Sequence, residues 1–204
     1  MKPPVMLYTE QTPNPESLKF VTNQMLYPKE TADFREEQID LAAEWSPLAS
    51  ALFAKAYVKG VYICNNFVTV TKEFNYEWAD IMLELKNFIK QYLQNEGVVI
   101  KEGFQEVQAA MEAAKTKEQV QNYSEADAAV VVKIKQLIDK YVRPAVEMDG
   151  GNIAFKTFND GVVTVAMQGA CSGCPSSSVT LKSGLEGMLK RMVPEVKTVN
   201  AVAE

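Results

Sequence analysis

Two cysteines, Cys171 and Cys174 in the run Gly169-Ala170-Cys171-Ser172-Gly173-Cys174-Pro175, are the side chains of this sequence best suited to chemistry. A Cys-x-x-Cys spacing lets two sulfurs face one point when the backbone curls between them, and Gly173 makes the curl cheap because it accepts positive φ. Pro175 has no amide hydrogen and suits the first turn of a helix. Ser176, Ser177 and Ser178 supply hydroxyls near that start. A helix N-terminus carries about half a positive charge and exposed amide donors, which lower a thiol's pKa and favour an anionic thiolate–metal assembly. Two thiolates are half of a tetrahedral metal or cluster site. The chain has three cysteines and no histidine, so the other half is not at hand.

The lack of histidine removes Ser-His-Asp triads, Cys-His dyads, histidine-based zinc hydrolysis and histidine proton relays. No convergent carboxylate or lysine motif replaces them, and the chain is expected not to be an enzyme. Its 204 residues suffice for one large or two small domains, with 47% hydrophobic and 23% charged residues in an ordinary globular balance. A net charge of −5 without a basic tract argues against nucleic-acid binding. No run of about 18 apolar residues predicts a membrane span. The first eight residues carry too little apolar content for a signal peptide and no arginine-rich amphipathic pattern. An odd, low cysteine count argues against a disulfide-stapled secreted scaffold and leads to the expectation of a reducing cytoplasm.

Four readings of the cysteine pair compete. It could be structural. It could be a thioredoxin-like dithiol acting as a thiol-disulfide oxidoreductase, although that motif normally follows the first strand of a βαβ unit and here follows a hairpin. It could belong to a zinc site, which wants four Cys or His ligands. Cys64, in the strand run Val61-Tyr62-Ile63-Cys64, reads as a small core or hairpin-end residue and would bring the ligand count only to three. Alternatively, two protomers meeting about a two-fold axis at this loop would assemble four thiolates, the full set for a [4Fe–4S] cluster. A site shared across an interface opens readily, which suits a carrier.

The fold class expected is α+β, with two small α/β-sandwich-like domains. In the first, strands are expected over 5–9 and 18–22 around Gln11-Thr12-Pro13-Asn14-Pro15-Glu16-Ser17, and a short helix capped by Ser46 with Pro47 in its first turn. A hairpin over 58–64 and 67–72 turns at Asn65-Asn66. Trp78, Ile81, Met82, Leu85, Phe88, Ile89, Tyr92 and Leu93 recur at helical spacing and stop near Gly97. Residues 98–123 read as a linker with helical tendency, because from about Lys101 to Tyr123 the chain is rich in Ala, Gln, Glu and Lys and large apolar residues are sparse: Phe104, Val107, Met111 and Val120. This divides the chain into 1–97, 98–123 and 124–204. In the last part, Ser124 with Asp127 resembles a capping box. Val130, Ile134, Leu137, Ile138, Tyr141 and Val142 form the face of a helix ending before Pro144. Strands over 153–158 and 162–167 turn at Asn159-Asp160-Gly161. A helix after the cysteines buries Val179, Leu181, Leu185, Met188, Leu189 and Met192 and ends at Pro194, and a strand over 196–202 completes an α-β-β-α-β order. Lys182 and Lys190 read as solvated helix charge, and Asp149 and Asp160 as turn residues.

At these residues the chain resembles the Nfu-type, or NifU-like, iron–sulfur scaffold and carrier family. The second domain is similar over about residues 130–200 through Tyr141-Val142-Arg143-Pro144, Asp149-Gly150-Gly151, the hairpin ending in Gly169-Ala170-Cys171-Ser172-Gly173-Cys174-Pro175, and Leu181 to Pro194. The first is similar over about residues 5–95 through Thr12-Pro13-Asn14-Pro15-Glu16-Ser17-Leu18-Lys19-Phe20, Ser46-Pro47-Leu48 and Phe67-Val68-Thr69-Val70-Thr71-Lys72. The resemblance implies a labile [4Fe–4S] cluster bound between two copies by Cys171 and Cys174, a homodimer formed on cluster binding, a cluster-assembly scaffold as donor and apo iron–sulfur proteins as recipients. It assigns no clear chemical role to the first domain. No transit peptide is evident, which favours a bacterial cytoplasmic member. The cysteine-rich scaffold and [2Fe–2S] domains of full NifU are absent, which favours transfer over desulfurase-linked assembly.

Overall fold

A computed structural model of the chain describes residues 3–118, 125–172 and 175–203. The chain forms two compact units, Met1–Met111 and Glu112–Glu204, each mixing helices and sheet, in agreement with the expected α+β class.

The first unit is a five-stranded antiparallel sheet in the order β1-β2-β5-β4-β3. Its strands are β1 (Leu7–Gln11), β2 (Ser17–Thr22), β3 (Tyr27–Arg35), β4 (Val58–Asn65) and β5 (Phe67–Lys72). The helices are α1 (Ile39–Trp45), α2 (Pro47–Phe53) and α3 (Trp78–Gln94), and α4 (Phe104–Glu118) follows. The β4–β5 turn places Asn65 at φ +43, a left-handed conformation that asparagine tolerates. Ser46 accepts the Ala49 amide at 3.2 Å, as expected of the cap, and also donates to the Val99 carbonyl at 2.7 Å. In α3 the residues buried are Ile81, Leu85, Ile89 and Leu93, a stripe at intervals of four that packs with Phe20, Ile63, Val68 and Val70. Burying each such side chain contributes about 1.5–3 kcal/mol.

Three elements of this unit depart from the sequence reading. Strand β3 and helix α1 were not anticipated: β3 (YPKETADFR) carries Pro28 and scattered charge, and α1 has seven residues. Phe104, which the sequence leaves with little to pack against, is 2% exposed. Its ring stacks on Phe34 at 5.5 Å and on Trp45 at 6.0 Å. Gln108, one turn on, donates to the Thr31 carbonyl on β3 at 3.0 Å.

The second unit runs α5 (Glu125–Leu137), a π-helical turn (Ile138–Val142), α6 (Arg143–Met148), β6 (Gly151–Asn159), β7 (Val162–Gly169), α7 (Pro175–Met192) and β8 (Thr198–Ala203). Counting α5 to α6 as one interrupted helix gives the expected α-β-β-α-β order. The sheet order is β6-β7-β8, with β6–β7 antiparallel and β7–β8 parallel. Its core joins Ile134, Ile138, Val142 and Val146 to Ile153, Val163, Val165, Leu185, Leu189 and Val199. Asp160 and Gly161 in the hairpin turn take φ +50 and +85. The helix was expected to end before Pro144 and instead continues to Met148. The π turn adds a residue, the Arg143 amide reaches back to Ile138, and Pro144 falls in the first turn of α6, where its missing amide costs nothing. The shift also takes Tyr141 off the buried face, where it is 50% exposed. On α7, Met188 packs against the core, but Val179 and Met192 are exposed. The proposed cap at Ser124 lies outside the described residues.

Candidate functional site

The cysteine loop grows out of the central strand of the second sheet. At the end of the β6–β7 ladder, Gly151 lies opposite Gly169 and Asn152 opposite Gln168. Gly169 takes φ +63, which turns the chain out of the strand. The Ala170 amide then donates to the Gly150 carbonyl at 3.2 Å, and the Ser172 amide to the Gly169 carbonyl at 3.1 Å. The first bond ties the loop to the residue before β6, and the second folds the loop back on the end of β7. Cys171 is 4% exposed and belongs to the core cluster of the second unit. Gly173 and Cys174 lie outside the described residues, and Pro175 opens α7.

The helix after the loop is fixed at its far end. Glu186 accepts hydrogen bonds from the Lys190 ammonium at 2.6 Å, the Thr198 hydroxyl at 2.9 Å and the Val199 amide at 2.9 Å. The Lys190 bond first, and then the Val199 and Thr198 bonds, hold its carboxyl down at about 2. This clamp ties α7 to β8. Lys190 is solvated helix charge, as expected, and also pairs within its own helix (i, i+4).

A second polar chain backs the loop. Asp139 accepts from Arg143 at 2.6 Å. Arg143 donates to the Asn152 side-chain oxygen at 3.5 Å, and the buried Asn152 amide donates to Gln168 at 3.1 Å. Sequence reasoning missed both this chain and the Glu186 clamp. Asp139 and Arg143 at i, i+4 were a visible signal; the pairing of Asn152 with Gln168 needs the hairpin register.

Cys64 sits near the end of β4 in a small buried cluster with Val21, Tyr62 and Phe67 in the first unit, as a core residue should. Among the described residues no group of three or more Cys, Asp, Glu or His side chains could hold a metal ion. The donor available at the loop is the soft sulfur of Cys171, which suits iron, iron–sulfur or zinc. No helix among the described residues is long and apolar enough to cross a membrane.

A family model described as NifU-like domain matches residues 134–200, and one described as Scaffold protein Nfu/NifU N terminal matches residues 7–96. The protein named NFU1 iron-sulfur cluster scaffold homolog, mitochondrial, from Homo sapiens is 35% identical over 201 residues, covering 98% of this chain and 73% of the relative. Proteins of the same name from Drosophila willistoni and Drosophila grimshawi are 38% and 39% identical, covering 97% and 96% of this chain but 64% and 61% of their own length. The chain thus spans less than two thirds of these fly relatives. The solution NMR structure of a NifU-like protein from Saccharomyces cerevisiae is similar at 26% identity and TM-score 0.43, covering 48% of this chain and 87% of that one. The relatives are named as mitochondrial, which overturns the expectation of a cytoplasmic protein. A low, odd cysteine count speaks against an oxidising compartment and does not tell one reducing compartment from another.

Proposed function

The chain belongs to the Nfu family of iron–sulfur cluster scaffold proteins, and on that premise we propose that it holds a labile [4Fe–4S] cluster between two copies and passes it to apo iron–sulfur proteins. The cluster is cargo, received from an assembly scaffold, and the chain acts as a carrier rather than an enzyme. Cys171 and Cys174 are the ligands, two from each copy, and the homodimer forms as the cluster binds. In functional terms the chain reads as a first domain over 1–97, a connecting segment over 98–123 whose Phe104 packs on the first unit, and a cluster-binding domain over 124–204.

The observation that carries this reading is the placement of Cys171 at the end of the β6–β7 hairpin, four positions before the first residue of α7, in the unit that matches the NifU-like domain. Four thiolates saturate a [4Fe–4S] cluster, and one chain brings two at this loop. A cluster held by loops from two chains is released when the chains part, without unfolding either core.

Anaerobic reconstitution tests this, with iron and sulfide counted, Mössbauer spectra recorded and mass measured on the same sample. The expected result is one cluster per dimer, with Cys171→Ala and Cys174→Ala each abolishing both cluster and cluster-dependent dimer. A monomer that retains iron and sulfide, or either variant with a full cluster, refutes the assignment. Sustained thioredoxin-coupled turnover without iron would point instead to the dithiol oxidoreductase.

A further inference from the structure

We propose that Gly151 is a positioning residue for Cys171, its missing side chain providing the seat on which the first thiol rests. The inference deepens the cluster-ligand reading above and rests on it. Two adjacent glycines meet the cysteine loop, and they answer different needs. Gly150 has φ +81, a backbone conformation that strains any L side chain, so geometry alone accounts for it. Gly151 is not in that region. It opens strand β6, where glycine weakens the strand relative to residues with side chains to pack.

What requires glycine at 151 is contact with the loop. A Cβ there would lie 2.5 Å from the Gln168 carbonyl oxygen, 2.9 Å from Cys171 Sγ and 3.2 Å from the Cys171 nitrogen. Non-bonded carbons settle at about 3.5–4.0 Å, so a methyl group must displace both the strand end and the sulfur. The residue paired with Gly151 is Gly169, so the ladder ends in two bare backbones. The Ala170–Gly150 hydrogen bond spans this end and is the first tie a methyl at 151 would stretch. Gly151 therefore sets both the depth of the Cys171 sulfur and the line along which the loop leaves the sheet.

The test compares the full chain with Gly151→Ala, Cys171→Ala, the double variant and Gly184→Ala, an exposed helix glycine with open space at its Cβ. The first readout is iodoacetamide alkylation of the reduced apo chain, resolved by peptide mass spectrometry so that Cys171 and Cys64 are followed separately. Gly151→Ala should speed alkylation of Cys171 by at least about tenfold, the difference between a packed and an exposed thiol, and leave Cys64 and the Gly184→Ala control unchanged. The second readout is iron and sulfide after anaerobic reconstitution, which should fall at least about threefold in Gly151→Ala, a shift of under one power of ten in binding. Unchanged Cys171 alkylation and unchanged cluster content overturn the inference and leave the cluster reading intact. A parent chain that takes up no cluster defeats that reading, while the alkylation arm still decides whether Gly151 positions the thiol. Should Gly151→Ala fail to fold, recovery of folding in the double variant supports the sulfur contact. Failure of both assigns the glycine to the Gln168 carbonyl and overturns the proposal.

Discussion

Replacing Gly184 and Gly187 by alanine is expected to stabilise the second unit. Both lie well inside α7, both are exposed, and a Cβ at either would meet nothing within 4 Å. Glycine in a helix interior costs about 0.8–1 kcal/mol relative to alanine, chiefly through the unfolded chain's greater freedom. With no clash to subtract, each substitution should return most of that, about 1.5–2 kcal/mol for the pair. For a domain of about 60–100 residues each kcal/mol corresponds to about 4–8 °C in Tm. The assay is thermal and urea unfolding of the apo chain, followed by far-UV circular dichroism and by fluorescence. Both tryptophans, Trp45 and Trp78, lie in the first unit, so fluorescence reports that unit while dichroism follows helix α7 as well. A shifted dichroism transition with an unmoved fluorescence transition is the expected pattern. A double variant less stable than the parent would refute the reasoning, because the space at these glycines would then be filled in the apo chain.

Glu186→Gln should loosen α7 from β8. The carboxyl is held at about 2 by Lys190, Val199 and Thr198, below its ordinary value of 4.5, so its stabilisation is present above pH 4.5 and is lost as pH falls towards 2. The parent chain should show that loss in acid unfolding, and the variant should not; identical acid curves would remove Glu186 from the account. Ser46→Ala removes the α2 cap and leaves the Val99 carbonyl without its buried donor. A loss of about 1–3 kcal/mol is expected, read by fluorescence because Trp45 is adjacent. A loss under about 0.5 kcal/mol would place Ser46 among ordinary surface positions.

Local chemistry made much of this architecture readable in the sequence. Asn65-Asn66 and Asn159-Asp160-Gly161 announce left-handed turns, and each hairpin turns there. The α3 stripe and the Ser46-Pro47 start follow from spacing and capping alone. The parts that were not readable depend on tertiary partners. Among the described residues strand β3 is an edge strand beside β4, shifted in register between Tyr27 and Thr31, so neither alternation nor apolar content marks it. Phe104 looks stranded among polar residues until Phe34 and Trp45 are brought to it. Pro144 reads as a stop unless the π turn before it is known. At the site, the cysteine spacing and its hairpin were legible. The need for a bare backbone at Gly151 was not, because it arises from a contact between residues about twenty positions apart.

Strand β7 is bonded along both edges, antiparallel to β6 and parallel to β8, and it runs directly into the loop that bears Cys171. A strand gripped on two sides cannot slip without breaking two ladders together, and a slip of one position would send every side chain to the opposite surface. The side of the sheet on which the sulfur emerges is thus inherited from the pleating of the strand that leads to it. Insertion of a single residue within Val162–Gly169 would carry the thiol to the wrong side of the molecule, whereas the same insertion in the Asn159-Asp160-Gly161 turn would be absorbed before the ladder begins.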